Sequence, residues 1–131
     1  MRTHAVSRIA AVVLGLEGLA IVALVVWQVW ALAAGDTESI ESAIALVVLT
    51  AIGAFAVLAF AVATWRGVSW GRSGGIVTQL LILAVAVGAM TGAYAHPFTG
   101  LALAVPAIVA LVLLVIAVRA AGREPRSEAS E

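Results

Sequence analysis

Four long apolar runs, separated by short polar segments, constrain the fold of this chain more than any other feature. Each run is long enough to cross the hydrocarbon core of a bilayer, which needs roughly 20 helical residues. Because backbone N–H and C=O groups find no water in that core, each run must satisfy them internally as a helix. We therefore predict an all-α membrane protein whose four transmembrane helices form one bundle over residues 1–119. The predicted spans are about 9–32, 40–64, 76–94 and 98–118.

The composition excludes a soluble domain and several classes of function. Of the 131 residues, 64% are hydrophobic and 11% are charged, whereas a soluble domain carries about 25% charged residues. There is no cysteine, so thiolate chemistry and cysteine metal sites are excluded. The two histidines have no partner at metal-ligand spacing, and the sequence contains no nucleophile–base set or phosphate-binding loop. We expect no enzyme activity, no cofactor, no bound metal and no nucleic-acid partner.

The distribution of arginine predicts the orientation of the chain in the membrane. In a four-span chain all seven basic residues fall on one side: Arg2, Arg8, Arg66, Arg72, Arg119, Arg123 and Arg126. The loops on the other side carry three acidic residues and one histidine: Asp36, Glu38, Glu41 and His96. Because basic residues are retained in the cytoplasm, we expect both termini there. The predicted location is the cytoplasmic (inner) membrane of a bacterium, as a multi-pass protein.

Aromatic and basic residues near the ends of the spans are predicted to anchor the bundle at the two interfaces. Indole rings favour the headgroup region, and arginine side chains extend from a helix end toward water. Trp27 and Trp30 are expected at the outer interface. The predicted cytoplasmic anchors are Trp65, Arg66, Trp70 and Arg72.

The connections between the spans contain residues that favour turns and helix ends. Gly35 is expected to follow the first helix, with Asp36 or Thr37 as the N-cap of the second. The glycine- and serine-rich segment "RGVSWGRSGG" is predicted to be a loop, and Pro97 is expected in the first turn of the fourth helix.

The two ends of the chain allow further predictions. Residues 120–131 are polar and of mixed charge, which predicts a disordered cytoplasmic tail. At the other end, Arg2 and Arg8 precede an apolar stretch that finishes with "ALA" at residues 31–33. This pattern has some features of a cleaved secretory signal, but the apolar stretch is long for one and contains Glu17. We therefore expect the first span to be retained, with cleavage as the alternative.

Glu17 is the most unusual residue of the spans, because it lies within the apolar sequence "VVLGLEGLAIVALVV". An acidic side chain at the bilayer centre costs roughly 2.5–3.5 kcal/mol, so Glu17 should face the bundle interior. At about 100° per residue, Gln28 lies on the same helix face. Gln79, in the third span, is the candidate partner, since an amide can bond either form of a carboxyl group. Two interpretations remain: a polar contact that holds helices together, or a proton or cation site.

Two other spans carry features that affect helix packing. Ala84, Gly88 and Gly92 repeat every four residues in the third span, and such spacing lets helix backbones approach closely. We expect this face to pack inside the monomer, with dimerisation as the alternative. Pro106 lies in the middle of the fourth span. It is expected to kink the helix, because it cannot donate a hydrogen bond to the Ala102 carbonyl.

Two resemblances to known families add to these predictions. The layout, with Glu17 in "LGLEGLA", resembles the small multidrug resistance transporters, four-span proteins with an essential acid in the first helix. That resemblance implies an ionisable site at Glu17. Over nearly the whole chain, the early acid, "WRGVSWGR" and "GGIVTQLLIL" are similar to an uncharacterised family of small four-span membrane proteins from actinobacteria. This second resemblance implies the fold and the location, and no activity.

The sequence therefore predicts a small non-enzymatic integral membrane protein, an accessory or structural subunit of a membrane complex. The alternative is a small proton-coupled transporter or channel that acts as an oligomer, with Glu17 as the ionisable site. The expected partners are the lipid bilayer and either further copies of the chain or a larger membrane protein.

Overall fold

The residues that the structure describes form four long helices. A computed structural model describes residues 2–93 and 95–123, with side chains from residue 4 onward. The helices are α1 (Arg2–Ala33), α2 (Ile40–Trp65), α3 (Ser69–Thr91) and α4 (Pro97–Gly122), and the described residues contain no strand. Each helix is long and apolar enough to cross a membrane. The predicted all-α bundle of four membrane-spanning helices is confirmed.

The helices are arranged as two hairpins that close into one bundle. α1 packs along α2 and α3 packs along α4, while less extensive contacts join α2 to α3 and α1 to α4. α1 and α3 are therefore diagonal to each other across the bundle. The first turns of α1 meet the last turn of α2, since the Ser7 hydroxyl donates to the Thr64 carbonyl at 2.9 Å.

The charged residues divide the bundle into two ends. The end formed by the starts of α1 and α3 and the finishes of α2 and α4 is called the arginine end, and it carries Arg8, Arg66, Arg72, Arg119 and Arg123. The opposite end is called the acidic end, and it carries Asp36, Glu38 and Glu41. The start of α1 and the finish of α4 therefore lie at the same end of the bundle.

Glycines in a left-handed conformation terminate α1 and α2. Gly35 and Gly67 have φ values of 75° and 76°, which L-residues with a side chain rarely adopt. The Gly35 N–H donates to the Leu32 carbonyl at 3.1 Å, and the next N–H donates to the Ala31 carbonyl at 3.0 Å. This pair of bonds defines a Schellman motif, which satisfies carbonyls that a helix end otherwise leaves free.

The start of α2 differs from the sequence prediction. Ser39, rather than Asp36 or Thr37, is the N-cap, and its hydroxyl accepts from the Ser42 N–H at 3.4 Å. Thr37 instead bonds Ser39, whose N–H donates to the threonine hydroxyl at 3.3 Å. The position of Pro97 in the first turn of α4 agrees with the prediction.

The third helix begins seven residues earlier than predicted, at Ser69 instead of Ile76. Most of "RGVSWGRSGG" is therefore helical, and the prediction of a loop there is wrong. Its glycines provide close packing: a Cβ at Gly71 would lie 2.7 Å from the Thr64 backbone nitrogen, and one at Gly74 would overlap the Phe60 ring. Tertiary packing against α2 offsets the low helix propensity of glycine, which costs about 1 kcal/mol per residue relative to alanine.

The main hydrophobic cluster lies in the half of the bundle nearer the arginine end. Ala10, Leu14, Ala61 and Leu114 form one cluster, with Ile76 and Leu113 packed against it. Beyond Gly18 in α1, and before Ala54 in α2, no described residue is buried. The acidic-end halves of these two helices are thus much less enclosed than their arginine-end halves.

The small-residue face of α3 requires a correction. Ala84, Gly88 and Gly92 are exposed, and a Cβ at Gly88 would meet nothing within 4 Å. Packing of this face inside the monomer is therefore absent, because the interior side of α3 carries Gly75, Gln79 and Ala86 instead. Dimerisation through the small-residue face stays a prediction.

The fourth helix is longer than predicted and is uninterrupted at Pro106. α4 continues to Gly122, past the predicted end at Val118. Pro106 is exposed within it, and the kink expected there stays a prediction. Of the predicted tail, residues 120–122 are helical, and residues 124–131 lie outside the described part of the chain.

Candidate functional site

A hydrogen bond between α1 and α3 forms the candidate site. The Gln79 amide Nε2 donates to Glu17 Oε2 at 2.6 Å. Gln79 is fully buried, at 0% exposure, and Glu17 is partly buried. Because α1 and α3 are diagonal to each other, this bond crosses the interior of the bundle. The structure thus brings together the acid and the amide that the sequence singles out.

Helical periodicity places both side chains on interior faces. In α1 the residues that face the interior are Ser7, Ala10, Leu14 and Glu17, spaced at the intervals of three and four that keep side chains on one side of a helix. In α3 the buried residues Gly71 and Gly75 precede Gln79 at intervals of four. Glu17 therefore lies at the end of an interior stripe whose other members are uncharged.

An apolar layer separates the Glu17–Gln79 pair from the arginine end. A Cβ at Gly75, one turn before Gln79, would lie 3.0 Å from a Leu114 methyl carbon and 3.1 Å from a Leu14 methyl carbon. The absence of a side chain at Gly75 lets the two leucines meet there. Both leucines are fully buried, so they exclude water from the arginine-end side of the pair.

The second polar atom of Gln79 has no partner in the described part of the chain. Its Oε1 is buried and accepts no hydrogen bond there. An amide can donate through nitrogen to a carboxylate or accept through oxygen from a carboxylic acid. Rotation of the Gln79 amide would therefore let the pair stay hydrogen-bonded whether or not Glu17 carries a proton.

Gln28 does not join this pair. It lies eleven residues after Glu17, or about 16 Å along a helix that rises about 1.5 Å per residue. Gln28 lines a groove of about 500 Å³ between α1 and α2 at the acidic end, beside Trp27, Asp36 and Glu38. Its Oε1 is buried with no partner among the described residues. Helical periodicity places Gln28 on the same side of α1 as Glu17, but it does not place the two side chains at the same depth in the membrane.

The predicted anchors lie near both ends of the bundle. Trp27 and Trp30 are exposed toward the acidic end, at 65% and 75%, and Trp65 and Trp70 are exposed toward the arginine end, at 51% and 54%. Trp70 also packs edge-on against Phe60, with ring centroids 5.9 Å apart.

The arginine-end anchors interact locally. The Arg8 guanidinium lies 5.1 Å from the centroid of the Trp65 ring, within the range of a cation–π contact. Arg72 donates from Nη1 to the Gly67 carbonyl at 3.0 Å. Arg8 was not among the predicted anchors, although its position just before the apolar run could have indicated it.

Ser7 and Thr64 form a second buried polar contact, which the sequence analysis does not identify. Thr64 is fully buried, and Ser7 is 9% exposed. Ser7 was missed because the first span was placed from Ile9 onward, whereas α1 already begins at Arg2. Thr64, the last residue of the predicted second span, therefore had no predicted partner. Ser7 precedes Ala10, Leu14 and Glu17 at the spacing of three and four that keeps side chains on one helix face. This spacing could have placed Ser7 on the interior face.

Comparison with known proteins identifies no relative. No protein-family model matches the chain, and comparisons with curated proteins and with solved structures found no match. The resemblance to an actinobacterial family therefore stays a prediction. Among the described residues, no group of three or more histidine, aspartate or glutamate side chains is placed to hold a metal ion. The Glu17–Gln79 contact is the candidate site considered for function.

Proposed function

We propose that this protein is a non-enzymatic accessory or structural subunit of a complex in a bacterial cytoplasmic membrane, with both termini in the cytoplasm. The observation that carries the proposal is the hydrogen bond from Gln79 to Glu17. The acidic residue in the middle of an apolar helix is bonded to a side chain of the same chain. Such a bond holds α1 and α3 in register, and polar contacts of this kind contribute about 0.6 kcal/mol on average in membrane bundles.

The large apolar surface supports a role as a subunit. In the most apolar 18-residue window of each helix, between 11% and 28% of the residues are buried within the chain. Bulky side chains such as Leu49, Phe55 and Phe98 are exposed at 68%, 77% and 84%. Lipid covers such a surface in a monomer, and a larger membrane protein or further copies of the chain would cover it in a complex.

The cytoplasmic location of the termini rests on the arginine end. The start of α1 and the finish of α4 lie at the end that carries Arg8, Arg66 and Arg72, and loops rich in arginine are retained in the cytoplasm. The acidic end, with Asp36 and Glu38, then faces the outside. A source among actinobacteria, which the resemblance implies, belongs to this proposal.

The alternative function is proton-coupled transport by an oligomer. The observation that favours it is the buried Oε1 of Gln79, which accepts no hydrogen bond from the residues that the structure describes. A proton that binds Glu17 could be accommodated by rotation of this amide. The resemblance to small multidrug resistance transporters implies that Glu17 is an ionisable site. In that case Glu17 changes protonation during the cycle, whereas in a structural subunit it does not.

Purification of the full-length protein from its native membrane in a mild detergent tests the proposal. We expect a larger membrane protein to co-purify at a fixed ratio, identified by mass spectrometry. The matched control is Glu17→Gln, which keeps hydrogen-bonding capacity and removes the ionisable group. A structural role predicts that this variant keeps the partner. A homo-oligomer without partner, together with transport that Glu17→Gln abolishes, would overturn the proposal and support the alternative.

A further inference from the structure

Two apolar grooves flank α2 in its arginine-end half. The α1–α2 groove has a volume of about 410 Å³ and the α2–α3 groove one of about 580 Å³. Leu58 and Val62 line both of them, so these two residues form a ridge with a groove on each side. Both grooves lie on the outer surface of a bundle that spans a membrane, where acyl chains surround the protein.

Each groove has an arginine at the arginine end. Trp65 lines the α1–α2 groove, and the Arg8 guanidinium lies over its ring. Arg66 lines the α2–α3 groove directly. Both arginines are exposed, and they end the two grooves at the level where a lipid headgroup lies.

The positive charge of Arg8 and Arg66 is not balanced by the acidic residues that the structure describes. Glu17 is bonded to Gln79 in the interior. The other described carboxylates belong to the acidic end, at the far side of the bundle: Asp36, Glu38 and Glu41. The surface around the two arginines therefore matches an anionic ligand.

We propose that the ridge and its two grooves bind one anionic phospholipid. One acyl chain lies in each groove, on either side of Leu58 and Val62, and the phosphate lies between Arg8 and Arg66. Guanidinium groups form charge-assisted and often bidentate hydrogen bonds with phosphate oxygens. A lipid with a net negative headgroup is preferred over a zwitterionic one, because the zwitterionic headgroup adds a positive charge beside the two arginines.

The headgroup preference is tested by native mass spectrometry of the full-length, delipidated protein in detergent with added lipid. Each arginine near an anionic headgroup contributes about a factor of five in affinity, so phosphatidylglycerol should bind roughly 25-fold tighter than phosphatidylcholine. The variant R8Q/R66Q should lose most of this preference. The control R119Q/R123Q removes the same charge from the arginine end outside both grooves and should keep it. Equal losses in the two variants, no preference for phosphatidylglycerol, or equally tight binding of inorganic phosphate alone would overturn the proposal.

Filling a groove tests the acyl-chain contact separately. Gly15 lines the α1–α2 groove, and a Cβ there would meet nothing within 4 Å, so Gly15→Leu should fold and occupy the groove. We expect it to weaken binding of phosphatidylglycerol about tenfold, a loss typical of removing apolar contact in a pocket. The control Gly53→Leu makes the same change where a Cβ also meets nothing, outside both grooves, and should bind normally. Normal binding by folded Gly15→Leu would show that the acyl chains lie elsewhere.

Discussion

Both halves of the α1–α2 hairpin contain long apolar stretches, but they differ in how they pack. Toward the arginine end, small residues such as Ala10, Gly18 and Ala61 are buried. Toward the acidic end, the sequence is dominated by bulky residues such as Trp27, Ile44 and Leu46, and these are exposed. Helices in lipid gain little from burying apolar surface, so close packing depends on small residues that let backbones approach. Apolar length therefore predicts a span, whereas residue size predicts where the span packs.

Labelling with an impermeant thiol reagent tests whether the two ends of the bundle lie on opposite sides of the membrane. This is the largest effect that we expect. Cysteines introduced at Glu38 and Thr99, toward the acidic end, should react on intact spheroplasts. A cysteine at Ser69, toward the arginine end, should react only after permeabilisation, because arginine retains that end in the cytoplasm. All three positions are exposed. Labelling of the Ser69 cysteine from outside would contradict the cytoplasmic placement of the termini.

A bulky residue at Gly71 should disrupt the arginine-end half. A Cβ there would lie 2.5 Å from the Ala63 Cβ and 2.7 Å from the Thr64 backbone nitrogen, so α2 and α3 must separate. We expect Gly71→Leu to lower the free energy of unfolding by about 3 kcal/mol, at the upper end of typical overpacking costs. Thermal unfolding in detergent, followed by circular dichroism, measures this.

Gly53→Leu is the matched control for that substitution. A Cβ at Gly53 would meet nothing within 4 Å, and replacement of glycine within a helix slightly favours the helical state. Its thermal stability should equal or slightly exceed that of the wild type. If both leucine variants lost stability equally, close packing at Gly71 would not explain the effect.

Truncation of a leucine should lower the free energy of unfolding more in the arginine-end half than in the acidic-end half. The expected effect is smaller than that of Gly71→Leu. Leu14 is fully buried and Leu24 is 43% exposed. Leu14→Ala leaves a cavity in the core and should cost about 2 kcal/mol. Leu24→Ala removes a side chain that contacts lipid and should stay within about 0.5 kcal/mol of the wild type. Chemical denaturation in mixed micelles compares the two, and a larger effect at Leu24 would show that the acidic-end half is packed after all.

The sequence predicts the helices well because apolar length and turn residues are local properties. A short stretch of sequence is enough to predict each of the four spans. The same holds for Gly35 after α1 and for Pro97 at the start of α4. The start of α3 could not be predicted in this way. Its glycines are typical of a loop until their contacts with α2 and the core are known: Gly71, Gly74 and Gly75. Glycine in a membrane helix can provide close approach of two backbones, so its presence does not by itself indicate a turn.

The candidate site was predictable only in part, for a related reason. Glu17 and Gln79 are rare polar residues in apolar helices, so few partners were available to each. Gln28 shares the helix face of Glu17 but lies about three turns away. The sequence does not show which neighbouring helix each turn of α1 contacts. The exposed face of Gly88 is a second example. The spacing of small residues predicts that a helix packs there, but not whether that helix belongs to the same chain.

Removal of the Glu17 carboxyl should have the smallest effect on stability. Glu17→Ala leaves the buried amide of Gln79 without its acceptor, and we expect a loss of about 0.6 kcal/mol, the average for polar contacts in membrane bundles. Glu17→Gln should lose less, since its amide can still accept from Gln79. Thermal unfolding of the two variants beside the wild type checks the order. Identical stability of all three would show that the bond contributes nothing to the fold.

The protonation of Glu17 tests most directly the central claim that the Glu17–Gln79 bond is a structural contact. Infrared difference spectroscopy of the protein in lipid can follow the carboxyl C=O band, with Glu17→Gln to assign it. If Glu17 serves only as a structural contact, it keeps one protonation state near working pH, and the band stays unchanged between about pH 5 and about pH 9. A band that appears and disappears reversibly within that range, in the wild type and not in Glu17→Gln, would contradict the claim and identify Glu17 as a proton site.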